Sequence, residues 1–131
     1  IEENQNTNGS YHFAIADDQD NYLGTVSLKD VSDIDRHAEY AISLRSSAQG
    51  RGAGTFATRE ILKFAFDELH LERVFLNVLS DNAAAIHLYE KSGFRYEGEF
   101  IRHVSIRGVL KNLRWYGINA DEYRKGQENG K

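Results

Sequence analysis

Large apolar residues alternate with smaller or polar ones in three short runs near the start of the chain. Residues 11–16 set Tyr11, Phe13 and Ile15 against His12, Ala14 and Ala16, and residues 22–28 repeat the alternation after the turn-forming Asp17, Asp18, Gln19, Asp20 and Asn21. That pattern predicts a β-hairpin. Gly24 inside its second strand signals a bulge or a closely approaching neighbour. A third strand is expected over 38–44, with Tyr40, Ile42 and Leu44 on one face and Glu39, Ala41 and Ser43 on the other. From 55 to 69 the period changes: Ala57, Ile61, Leu62, Ala65, Phe66 and Leu69 fall at helical spacing, opposite a solvated face of Arg59, Glu60, Lys63, Asp67 and Glu68. The apolar run 73–79 is a strand, and strand, helix, strand at this length implies a parallel pair. Ser80, Asp81 and Asn82 start a second helix over 83–91, which Gly93 stops. Residues 94–104 and 110–118 form a long antiparallel hairpin around Arg107 and Gly108. The whole is an α/β (α+β) domain with a central mixed sheet over residues 11–120, a flexible Asn-rich segment at 1–10 and a polar tail at 121–131.

Composition narrows the class. A chain of 131 residues buries one core without staples, and the absence of Cys removes disulfides, thiolate metal sites and cysteine nucleophiles. With no apolar run of membrane-spanning length and no cationic leader, a soluble, cytoplasmic protein is expected. The formal charge of -4 argues against a nucleic-acid surface. Met is absent and the sequence opens at Ile1, so a piece of a longer, N-terminally truncated protein is expected.

Chemistry concentrates in Gln49, Gly50, Arg51, Gly52, Ala53, Gly54 and Thr55, between the third strand and the long helix. Alternate glycines free the backbone to adopt positive φ and to approach a ligand. The helix behind them presents unpaired N–H groups and the positive end of its dipole, a cradle for phosphate oxygens. An exposed glycine-rich turn would carry the same letters. A nucleotide-hydrolysing P-loop is excluded because Thr55 and Phe56 stand where Lys and Ser or Thr are needed. The dinucleotide fingerprint lacks its strand-borne acid, since the next strand carries Arg73 and Asn77 instead.

Two motifs in order, Gln49-x-x-Gly52-x-Gly54 and Asn82-x-x-Ala85-x-x-Leu88-Tyr89-x-x-x-Gly93-Phe94, resemble the GNAT superfamily of acetyl-CoA-dependent N-acetyltransferases over about residues 11–118. His37, Ala38, Glu39 and Tyr40 are further similar to its branch of spermidine, ribosomal-protein N-terminal and aminosugar-nucleotide acetyltransferases. The family's opening strand and following helices, which wall the acceptor site, are not found upstream of Tyr11. Arg45, Ser46, Ser47 and Ala48 make a more polar lead into the loop than the family usually has.

The resemblance implies a GNAT acyl-CoA N-acyltransferase fold, with the strands flanking the pyrophosphate-loop helix splayed around the pantetheine arm of acetyl-CoA. Ile42 and Leu44 then offer backbone groups to that arm, Asn82 reaches it, and the amides of residues 50–55 hold the pyrophosphate with Arg51 adding charge. Gln49, Gly50, Gly52, Ala53, Gly54 and Thr55 complete the cofactor set, and no metal is implied. Tyr89 is the expected acid, because a phenol can protonate a departing thiolate; it would also serve as an aromatic packing on Ile86. Glu39 is the candidate base for an amine that must lose a proton before attack, although an ordinary strand carboxylate would look the same. Asn77 could line the acceptor pocket or satisfy a local backbone group. His37 and His103 read as surface histidines.

The activity implied is direct transfer of acetyl to a primary amine: a polyamine, a protein N-terminal amine or an aminosugar nucleotide. No nucleic acid or membrane partner is expected, and the terminal hairpin offers an edge for a homodimer. A non-catalytic acyl-CoA-binding regulatory module and a nucleotide-phosphate binder using the loop alone remain alternatives.

Overall fold

The computed structural model describes residues 2–3, 9–50 and 52–129. A short strand β1 (Glu2–Glu3) and the hairpin β2 (Tyr11–Ala16) and β3 (Tyr22–Ser32) lead to β4 (His37–Leu44). A single turn of 3-10 helix, Ser46–Ala48, precedes α1 (Ala53–Lys63). Then come β5 (Arg73–Leu79), α2 (Ala83–Lys91), the hairpin β6 (Arg95–Ile106) and β7 (Val109–Asn119), and α3 (Ala120–Asn129). The seven strands form one sheet in the order β1-β2-β3-β4-β5-β7-β6, in which β4 and β5 are parallel and the other pairs antiparallel. The mixed sheet and its parallel pair follow the expected fold class. β6 is the outer strand, so the hairpin edge on which a homodimer was expected is open among the described residues.

One sheet face carries the core. Val26, Leu28, Tyr40, Val74, Leu76 and Tyr116 are at most 2% exposed and pack with Ala57, Ile61, Leu62, Ala65 and Phe66 from the α1 region. Each large apolar side chain buried this way contributes about 1.5–3 kcal/mol. Gly24 is explained by a close approach: a Cβ there would lie against the carbonyl oxygen of Ser43 and 2.9 Å from Cα of Leu44, so β3 meets β4 only as glycine. The bulge is there too: Ile15 pairs with Gly24 and the next residue, Ala16, with Tyr22, so Leu23 is the extra residue of β3, beside Gly24.

Three expectations are corrected. The long helix is α only to Lys63 and continues as a π-helical turn, Phe64–Glu68, closed by Leu69 N–H donating to Phe64 C=O at 3.0 Å. Three consecutive bulky or buried residues cannot share one α-helical stripe. In this turn Phe64 meets Tyr11 and Phe13, each at 5.1 Å between ring centroids, and Phe66 meets Tyr123 at 4.9 Å. The second correction concerns the polar tail, where residues 120–129 are helix α3 with Tyr123 8% exposed. The third is at the start: Glu2–Glu3 pairs with Phe13 and Ala14 rather than standing apart as a linker. The rest of that segment up to residue 8 lies outside the described residues.

Ion pairing ties the sheet's far strands together across Gly117. The Arg73 guanidinium donates two hydrogen bonds of 2.6 Å to Glu97, one strand beyond its neighbour, and a Cβ on Gly117 would come 2.5 Å from Nη1 of Arg73. Arg73 holds the Glu97 carboxyl below the usual carboxylate range, against the opposing pull of burial. A carboxyl depressed in the folded state contributes stability above its unfolded pKa and loses it as pH falls through the folded value. Glu97→Gln should therefore lower the melting temperature at about pH 7, and the gap to wild type should close in acid, below the ordinary carboxylate range. Thermal unfolding against pH measures it.

Candidate functional site

The ladder between β4 and β5 pairs His37 with Arg73, Ala38 with Val74 and Glu39 with Phe75, and then stops. Beyond it, residues 40–44 pair only with β3 and residues 76–79 only with β7. The strands diverge where the resemblance implies a splay, leaving backbone groups along the inner side of β4 without a strand partner.

A cleft of about 470 Å³ opens at this divergence. Its walls are Ile42 and Leu44 from β4, Gln49, Gly50, Gly52, Gly54 and Thr55 from the loop and α1, and Asn82, Ala84, Ala85, His87, Leu88, Tyr89 and Lys91 from α2 and its cap. No carboxylate is among them. The cleft thus gathers most of the cofactor residues expected from sequence, together with Tyr89. Ala53 opens α1 beside it without lining it, and Arg51 lies outside the described residues.

The glycines divide their work. Gly50 (φ 79°) and Gly52 (φ 81°) hold left-handed backbone with open space around a hypothetical Cβ, so their need is conformational. Gly54 is needed for packing instead: a Cβ there would meet Leu88 Cδ2 at 3.2 Å and Leu44 Cδ1 at 3.4 Å, narrowing the cleft between α1 and α2. Gly52 is the N-cap of α1 and offers no side-chain cap, so the first amides of the helix are left for a ligand.

Two helix ends fix α2 and its tyrosine. The Asn82 side chain accepts a hydrogen bond from the Ala85 amide at 3.2 Å, a normal N-cap, while the same residue faces the cleft. At the other end Gly93 N–H donates to Glu90 C=O (3.2 Å) and Phe94 N–H donates to Tyr89 C=O (3.0 Å). This is a Schellman motif, with Gly93 at φ 105° and the Phe94 ring 6.0 Å from that of Tyr89 as its apolar contact. The Tyr40 ring stands edge-on to Tyr89 at 6.1 Å, and its hydroxyl is hydrogen-bonded at 2.6 Å to buried Thr58. Tyr89 is therefore held between two rings and only 7% exposed, yet it lines the cleft. Among the described residues none hydrogen-bonds its hydroxyl, and burial pushes its pKa up, keeping the phenol protonated at neutral pH.

Glu39 and Asn77 stand elsewhere. Alternation along β4 and β5 places them on the opposite sheet face from Tyr40, Leu76 and Val78, and neither lines the cleft. They meet each other: Asn77 Nδ2 donates to Glu39 Oε2 at 3.0 Å, and Lys29 Nζ lies 3.9 Å from the same oxygen. Asn77 thus binds a side chain rather than a local backbone group. Sequence reasoning passed over Ala84, His87, Lys91, Tyr40 and Thr58. The signal for the α2 residues is their spacing on one helical face from Ala84 to Lys91, which by itself marks only a helix; nothing local marks the Tyr40 to Thr58 contact.

Comparison with known proteins agrees with this geometry. The family model described as "Acetyltransferase (GNAT) domain" matches residues 1–95. A spermidine N(1)-acetyltransferase of Vibrio cholerae serotype O1 is 31% identical over 121 residues, which is 92% of this chain and 70% of that protein. Its namesake in Escherichia coli strain K12 is 35% identical over 89 residues, 68% of this chain and 48% of that one, so the chain spans about half the length of this relative. The putative ribosomal N-acetyltransferase YdaF of Bacillus subtilis is 28% identical over 100 residues, covering 76% of this chain and 55% of that protein. The crystal structure of spermidine/spermine N-acetyltransferase SpeG from Vibrio cholerae with manganese ions superposes with a TM-score of 0.85 at 30% identity, over 90% of this chain and 69% of that one. Among the described residues no cluster of three or more His, Cys, Asp or Glu is placed to hold a metal. With a splayed parallel pair, a glycine loop at a bare helix start and a family model that matches 1–95, the chain belongs to the GNAT acetyltransferase family.

Proposed function

We propose that this chain carries the acetyl-transfer half of an enzyme that moves acetyl from acetyl-CoA to a primary amine, with a polyamine of the spermidine type as acceptor. The early end of the β4 to β5 ladder carries the reading, because it opens a slot beside Tyr89 instead of closing the sheet. The names of the Vibrio and Escherichia relatives support the choice of polyamine over the other amines.

Acetyl-CoA supplies an activated acyl group and a good thiolate leaving group. The amides of Gly50 to Thr55 and the positive end of α1 bind its diphosphate, and the absence of carboxylates from the cleft leaves that field unopposed. The unpaired edge of β4 hydrogen-bonds the pantetheine amides, and Asn82 offers its side-chain NH2 while its oxygen caps α2. The free amine attacks the carbonyl carbon from the face that holds Glu39, the C–S bond breaks, the Tyr89 phenol gives its proton to the sulfur, and the second proton that nitrogen sheds as the amide forms leaves to solvent, from which the Tyr89 phenolate is reprotonated. Glu39, oriented by Asn77, takes the proton that the alkylammonium must lose.

The test is thiol release from acetyl-CoA with spermidine, an N-terminal peptide and an aminosugar nucleotide as acceptors. Turnover with spermidine is expected; binding of coenzyme A with no thiol release from any amine would overturn the reading. In the same assay Glu39→Gln should cut kcat/KM at about pH 7 by roughly 10²-fold. The deficit should shrink as pH rises toward the amine pKa of about 10, where the acceptor needs no base. A deficit that is constant with pH would remove Glu39 from the proton path.

A further inference from the structure

Tyr40 takes no part in the steps above, yet it stands where three elements meet. From β4 its ring stacks on Phe94 at 6.0 Å, with 17° between the planes, and stands edge-on to Tyr89 of α2 at 6.1 Å. A phenylalanine would make the same two contacts. The hydroxyl does something else: it is bonded at 2.6 Å to the hydroxyl of Thr58, which is fully buried on α1.

Such a bond gains little net stability, because it replaces bonds to water, and two apolar groups of the same shape would pack there about as well. Its effect is on position. A buried hydroxyl needs a partner, so Thr58 fixes where the Tyr40 ring can stand, and that ring is one of the two that hold Tyr89. Burial pushes the Tyr40 pKa up, so the group stays a neutral phenol and the bond persists across the neutral range. Thr58 also lies one helical turn past Gly54, on the helix whose bare first amides face the diphosphate. One rigid element therefore meets the cofactor at its start and, through Tyr40, the phenol deeper in the cleft. Resting on the acid role given to Tyr89 above, we infer that Thr58 and Tyr40 are positioning residues, which register the Tyr89 phenol against the sulfur of a thioester whose diphosphate α1 holds.

Thiol release from acetyl-CoA with spermidine, paired with thermal unfolding, tests this on Tyr40→Phe, Thr58→Val, the double variant and Thr58→Ser. Each of the first two leaves one buried hydroxyl without its partner and should lower the melting temperature; the double variant removes both and should recover it. Turnover should behave differently. In both single variants and in the double variant kcat should fall about tenfold or more, the effect of a misplaced group, with the KM for acetyl-CoA within about twofold of the unaltered chain. Thr58→Ser keeps the hydroxyl and should keep kcat. A double variant that regains full kcat along with its melting temperature, or a Thr58→Ser variant as slow as Thr58→Val, would reduce the pair to packing and leave the acid role of Tyr89 intact. Full turnover by Tyr89→Phe in the same assay would overturn both.

Discussion

Tyr89→Phe is expected to lower turnover by roughly 10²–10³-fold while leaving the affinity for coenzyme A within about twofold. The substitution removes one oxygen and keeps the ring. The ring is what the surrounding structure holds, through Tyr40 at 6.1 Å and Phe94 at 6.0 Å, so the helix end and the cleft should keep their shape. The hydroxyl takes no part in that packing. It has no hydrogen-bond partner among the described residues and faces the cleft, and its raised pKa keeps a proton available for a thiolate. Steady-state kinetics paired with calorimetry would check both halves. Unchanged turnover would relieve Tyr89 of its assigned chemistry; weakened cofactor binding with unchanged kcat would make it a wall of the cleft instead.

Phe66→Ala should destabilise the fold by about 3–5 kcal/mol. Phe66 is fully buried in the π-helical turn and faces the ring of Tyr123 at 4.9 Å, so truncation leaves a cavity where α3 docks. Urea unfolding should show a lower midpoint with an unchanged slope, the signature of lost stability without a change in the surface exposed. A loss under about 1 kcal/mol would mean that α3 collapses onto the vacancy at little cost.

That helix shows where sequence reading ran short. Of the residues in Ala120–Asn129, Tyr123 is the one large apolar side chain, and Gly126 lies in the helix interior, so neither periodicity nor propensity marks the segment as structured. Its order comes from Phe66, 57 residues earlier in the chain, which no local window contains. The π-helical turn was hidden for a related reason: one extra residue in a turn alters which side chains share a face without altering the letters. By contrast the limits of α2 were legible to the residue, because Asn82 and Gly93 carry cap chemistry that acts locally. The cleft was legible as far as the loop and Tyr89. The hydrogen bond between Glu39 and Asn77 spans 38 positions and depends on the parallel register, so sequence offered both residues without their contact. The placement of this pair on the reverse side from the phenol follows from alternation, once Tyr40 is known to point toward the helices.

The ladder between β4 and β5 has three residue pairs, joined by the Asn77 to Glu39 side-chain hydrogen bond, and this short seam divides the sheet into a plate of β1 to β4 and a plate of β5 to β7. Widening the gap between the plates is a small rotation about that short hinge, which leaves every other ladder intact. A thick guest can wedge in at the free end for the breakage of few or no hydrogen bonds, whereas a sheet zipped along its whole length would have to tear.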